Sequence, residues 1–95
     1  MGKRVAVITK DKGRQFEALR TGLGLLLEHH NVSLFVLDHE IGSDEHYLDN
    51  LGFIDEMGGD RYSNHRLNIE RHGFRPLSLQ ETGRLLSEHD LVIPF

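Results

Sequence analysis

The chain has 95 residues, 11 basic against 15 acidic side chains, a net charge of −4, and no cysteine. That is one domain, 1–95, and a chain of this size buries only about two-thirds of its unfolded surface. Scattered basic residues under a net negative charge argue against a nucleic-acid groove, zero cysteine removes disulfides, thiolate metal sites and thiol nucleophiles, and no apolar stretch approaches the ~20 residues of a membrane span.

The first element is Val5-Ala6-Val7-Ile8, a short unbroken apolar run. A helical pattern follows from Gln15 to about His30, and Val32-Ser33-Leu34-Phe35-Val36-Leu37 is a second such run. Strands that read apolar without alternation are buried on both faces, which predicts a parallel sheet covered by helices. In the first helix Phe16, Leu19, Leu23, Leu26 and Leu27 form one stripe, with Ala18, Gly22 and Leu25 beside it. Gly22 and Gly24 each cost roughly 1 kcal/mol of helix propensity, which close packing on the sheet would offset. Asn31 is the expected left-handed stop.

Ser43 is the expected N-cap of a second helix, with Asp44 and Glu45 in its first turn, Tyr47, Leu48, Leu51 and Ile54 on its apolar side, and Gly58-Gly59 ending it. Arg61-Tyr62-Ser63 reads as a short strand and Asn64 to His72 as a short polar helix stopped by Gly73. Phe74 to Leu77 reads as extended, because Pro76 forces Arg75 out of helix. Ser78-Leu79-Gln80-Glu81 is a capping box that opens a helix to about Glu88. Leu91-Val92-Ile93 is the last strand, and Pro94, which removes a ladder donor, puts it at a sheet edge or ends it there.

The order is β-α-β-α-β-α-β-α-β. It predicts an α/β domain of three layers, α/β/α, around a mostly parallel five-stranded sheet. Such a sheet is thinly covered at this length, so a homodimer or higher homo-oligomer is expected. The opening apolar run is too short for a signal peptide, and a cytoplasmic domain with no nucleic-acid or membrane partner is the expectation.

Two stretches together resemble the DsrE-like family of small sulfur-relay proteins. One is Phe16-Glu17-Ala18-Leu19-Arg20-Thr21-Gly22-Leu23 leading into Val32 to Leu37. The other runs from Leu77-Ser78-Leu79-Gln80-Glu81 through Leu85-Leu86-Ser87-Glu88-His89-Asp90 to Leu91-Val92-Ile93-Pro94-Phe95. The resemblance covers about half the chain and implies a DsrE-like fold, with other DsrE-like subunits among the conceivable partners. Relay members carry persulfide on a cysteine just after the third strand. Here that neighbourhood holds Ser63, Asn64 and His65, and neither a hydroxyl nor an amide replaces a thiolate. The resemblance therefore implies a non-carrying accessory or binding protein rather than an enzyme, with no cofactor.

A parallel sheet puts its site in the loops at the carboxyl ends of the strands. Those loops carry Thr9, Lys10, Asp11 and Arg14 after the first strand, Asp38 and His39 after the second, and Ser63, Asn64 and His65 after the third. Lys10, Arg14 and the start of the first helix could hold an anion. His39 and His65 could serve as acid and base or as metal ligands; the former defines the alternative, a small-ligand binder or enzyme. Ordinary solvated loops carry the same residue types. Of seven histidines, His39 and His46 flank acidic Glu40, Asp44 and Glu45 and are the nearest approach to a metal site, although none is expected. Arg61, Arg66, Arg71 and Arg75 track no single helix face and read as solvated surface.

Overall fold

The computed structural model describes residues 2–42 and 44–95. Its elements are β1 (Arg4–Thr9), α1 (Gln15–Leu27), β2 (Asn31–Val36), α2 (Glu45–Glu56), β3 (Asp60–Ser63), α3 (Arg66–His72), β4 (Arg75–Pro76), α4 (Leu79–Ser87) and β5 (Leu91–Pro94), with a 3-10 turn at Lys12–Arg14 before α1. Every strand pairing is parallel, and the sheet order is β4-β3-β2-β1-β5. The fold is α/β, as the alternation of apolar runs and helical periods requires.

Strands β1 and β2 are buried from their second residue onward. Val5 and Val7 join Val32, Leu34 and Val36 in one core, with Ala18, Leu19 and Leu26 of α1 and Tyr47, Leu51 and Ile54 of α2. Ala6 and Ile8 join Phe35 and Leu37 in the other, where Leu85 and Leu86 of α4 are the helical contribution. Two covered faces are why these runs do not alternate. The coverage is unequal. Five strands span roughly 20 Å at ~4.8 Å each, and a helix with side chains is about 10 Å wide. On its face α4 alone therefore covers β5 thinly and leaves Val92, in register with Ala6, exposed; Leu91, in register with Val5, is exposed on the opposite face.

Sheet direction reverses beside β1. The chain steps outward from β1 to β4, then returns to lay β5 on the other side of β1. The crevice between the carboxyl ends of β1 and β5 is thus the switch point of the sheet.

Several local expectations need correction. Helix α1 stops at Leu27, three residues early, because the amides of Glu28 and His30 turn back to the carbonyls of Gly24 and Leu25. His29, at φ 67°, takes the left-handed position. Asn31 is instead extended at the start of β2 and donates its N–H to the Lys3 carbonyl. Leu27 is 70% exposed, and the buried stripe runs through Ala18, Leu19, Gly22 and Leu26. A Cβ on Gly22 would lie in ordinary contact with Val32 and Ile54, so that glycine packs closely, whereas Gly24 has nothing within 4 Å and gains no such offset. Helix α3 begins at Arg66 rather than Asn64, because His65 is its N-cap. Ser43 lies outside the described residues; Asp44 caps α2, accepting the Tyr47 N–H at 3.1 Å. The capping box of α4 is present, with Ser78 and Glu81 exchanging bonds at 2.9 and 3.1 Å. The Ser78 backbone N–H, and secondarily its hydroxyl, hold the Glu81 carboxyl below its ordinary value. Among the described residues no helix is long and apolar enough to cross a membrane.

Candidate functional site

The carboxyl ends of β1, β2 and β3 carry the expected residues, of which Asp38 bonds Asn64 and Ser63 bonds His65, while the others bond outside the set or have no partner. Asp38, at φ 66°, sits in the left-handed region that non-glycine residues rarely adopt. A reciprocal clasp accompanies that strain. Asn64 Oδ1 accepts the Asp38 N–H at 2.8 Å, and Asn64 Nδ2 donates to Asp38 Oδ1 at 2.8 Å. The loops after β2 and β3 are thereby locked together.

Ser63 is fully buried at the end of β3. Its hydroxyl donates to the Val36 carbonyl at 2.7 Å and accepts from His65 N–H and Asn68 Nδ2, both at 3.0 Å. A hydroxyl has one proton and two lone pairs, so Ser63 is saturated. His65 Nδ1 accepts the Leu67 N–H at 3.3 Å, the cap of α3.

Asn68 is the residue that sequence reasoning did not single out. It is completely buried in α3. Its Oδ1 accepts the Ile41 N–H at 2.9 Å, and its Nδ2 donates to the His39 carbonyl at 2.9 Å as well as to Ser63. One side chain therefore pins the loop after β2 to the end of β3. An asparagine inside a short polar helix, next to a serine that ends a strand, was the available signal.

His39 is half-buried, and its Nδ1 lies 3.0 Å from the Leu37 carbonyl. A carbonyl only accepts, so Nδ1 carries the proton and neutral His39 offers its Nε2 lone pair. Burial lowers the pKa of His39 below its usual 6.5. The Leu37 carbonyl and Asp11 oppose that shift, while Lys12 and His65 reinforce it. Among the described residues, His39 Nε2, Thr9 Oγ1, Gln15 Oε1 and Tyr47 Oη are buried without a hydrogen-bond partner. Burial likewise raises the Tyr47 phenol above its ordinary value. Thr9 ends β1, Gln15 opens α1, His39 lies in the loop after β2, and Tyr47 is in the first turn of α2.

The basic loop after β1 is used differently. Asp11 Oδ1 accepts the Gly13 N–H at 2.9 Å, which puts a carboxylate where a bound anion would sit. Arg14 turns away to Glu17 at 3.1 Å and lies over the Phe95 ring at 5.0 Å. Lys10 stays exposed, and its backbone N–H bonds the Phe95 carbonyl at 3.1 Å. His46 is exposed on α2, and no group of three His, Asp or Glu side chains among the described residues is placed to hold a metal. Arg61, Arg66, Arg71 and Arg75 each lie within ion-pair distance of a carboxylate, on Asp55, Glu70, Glu40 and Asp60 respectively.

Fold and rim together define a small all-parallel α/β domain with a self-bonded strand-end rim. No family model, no curated protein and no solved structure matches this chain.

Proposed function

We propose that this chain is a non-catalytic binding or accessory domain, related to the DsrE-like sulfur-relay proteins and unable to carry persulfide. The observation that carries the reading is the saturated hydroxyl of Ser63. It stands in the neighbourhood, Ser63 to His65, where the resemblance puts the relay cysteine, and all of its bonding capacity goes to Val36, His65 and Asn68. Asn64 is likewise engaged with Asp38. A rim whose reactive positions hold the backbone in place suits recognition better than turnover. The test supplies persulfide from a cysteine desulfurase to a cysteine-bearing DsrE-like protein, with and without this chain. An accessory subunit forms a stable complex with that protein or alters the extent of transfer. Sulfur label on this chain, or neither complex nor effect, overturns the reading.

We also propose that the domain pairs with a second copy of itself. Support comes from the large apolar side chains left at the surface, Leu27, Phe53, Leu79, Leu91 and Val92.

The partnerless Nε2 of His39 favours one further reading, a small-anion binder or enzyme working at the rim. A thermal-shift screen of small anions tests it. Stabilisation of the wild type that disappears in His39→Gln supports it, and equal shifts or none remove it.

A further inference from the structure

A separate concavity opens at the carboxyl ends of β1 and β5, on the face that α4 covers alone. Its volume is about 310 Å³, and Ile8, Leu37, Leu79, Leu86 and Phe95 form its apolar walls, with Lys10 the one charged side chain among those lining it. Three features set it apart from an accidental gap. The first is its position, because the switch point of a parallel sheet is where such folds place small ligands. The second is its size and lining, which fall within the ~300–1,000 Å³ of mostly apolar ligand pockets.

The third is Gly83. Leu79, Thr82, Gly83 and Leu86 lie at i, i+3, i+4 and i+7, so one stripe of α4 faces the pocket. Gly83 interrupts that stripe. Its φ is not positive, and a Cβ there would meet nothing within 4 Å. Neither a turn nor a close approach requires glycine in this helix, where it is unfavourable relative to alanine. What its missing side chain provides is the space.

Charge fixes the ligand class. Among the described residues no carboxylate lies within ion-pair distance of Lys10, whereas Arg14, beside the same Phe95, is paired with Glu17. We propose that this pocket binds a small amphipathic monoanion, with an aliphatic or aromatic body against the apolar walls and a carboxylate or equivalent group on the Lys10 ammonium. The inference stands on the cavity and is independent of any kinship with sulfur-relay proteins.

The experiment titrates the full chain with octanoate, and with octanol as its uncharged counterpart, while following backbone amides by NMR. Both probes should give saturable shifts at Leu79, Gly83 and Phe95, with Lys10 responding to octanoate. Lys10→Ala should weaken octanoate about fivefold, the worth of one exposed charge contact, and leave octanol unchanged. Gly83→Leu should fill the pocket and cost both probes at least about tenfold, while melting no lower than wild type because helix propensity improves. No saturable shift for either probe, shifts confined to other surfaces, or undiminished binding by Gly83→Leu overturns the site. Equal loss of both probes in Lys10→Ala overturns the anion assignment, and that comparison does not depend on Gly83→Leu folding. Shifts at the pocket that follow protein dilution rather than ligand would make it a contact between copies, and likewise overturn the proposal.

Discussion

Replacing Asn68 by alanine removes one amide that serves three partners inside the domain. Ser63 Oγ keeps its bonds to Val36 and His65, so its loss is small. The Ile41 N–H and the His39 carbonyl lose their partner, and Ile41 is 1% exposed, so solvent does not replace it. An orphaned buried polar group costs about 1–3 kcal/mol, and two of them set the expected loss at about 3 kcal/mol. For a domain of this length that lowers the melting temperature by about 10–20 °C. Urea denaturation measures the free energy, and hydrogen exchange locates it. The Ile41 amide should lose protection beyond the global change, because the loop after β2 opens first. A loss below about 1 kcal/mol, or an Ile41 amide that exchanges no faster than the global opening allows, would refute the assignment of Asn68 as the pin of the rim.

Four further outcomes are expected. Tyr47→Phe removes a buried hydroxyl that has no partner, so stability should change by less than about 1 kcal/mol or rise; a larger loss by thermal denaturation would mean that the hydroxyl is engaged. His39 has a folded pKa below the 6.5 of the free side chain, so the unfolded chain takes up the proton first. Stability should therefore fall as pH drops below about 6.5 and level off once pH passes the folded value, and His39→Gln should flatten that stretch of the denaturation profile. A double-mutant cycle across Asp38 and Asn64 should give a coupling of about 0.5–1.5 kcal/mol, and additive single losses would mean that the clasp does not act as a pair. Light scattering should give twice the 10.9 kDa chain mass, and a monomer at micromolar concentration would contradict the argument from exposed apolar side chains.

Much of the architecture was legible because it rests on local signals. Largely apolar runs marked β1 and β2, Gly73 at φ 69° ended α3, and the Ser78–Glu81 box opened α4. Asn31 misled because asparagine tolerates the left-handed region, yet the turn that closes α1 completes itself at His29 and frees Asn31 for the strand. Leu27 misled because a helical period shows which side chains align but not which turn still touches the sheet. The rim was legible as an address: Asp38, Asn64 and Ser63 do meet there. The bonds that hold it were not, since Asp38 to Asn64 and Ser63 to Val36 join positions 26 and 27 apart. The pocket beside α4 was illegible for a different reason. It arises from a sheet order that brings Ile8 beside Pro94, and from an absent side chain at Gly83.

The placement of β5 also bears on how the domain assembles. Joining the start of β1 to the turn before β2, as in the Lys3–His30 bond, closes a separation of 27 positions, whereas the Arg4–Asp90 bond beside β5 closes one of 86. The longer closure costs roughly 1 kcal/mol more chain entropy, and β5 recovers less burial than the inner strands. The sheet from β1 to β4 grows by short crossovers and can form first, with β5 docking late and releasing early. A molecule lodged against β5 would then act as a latch, slowing the release of the strand that completes the sheet.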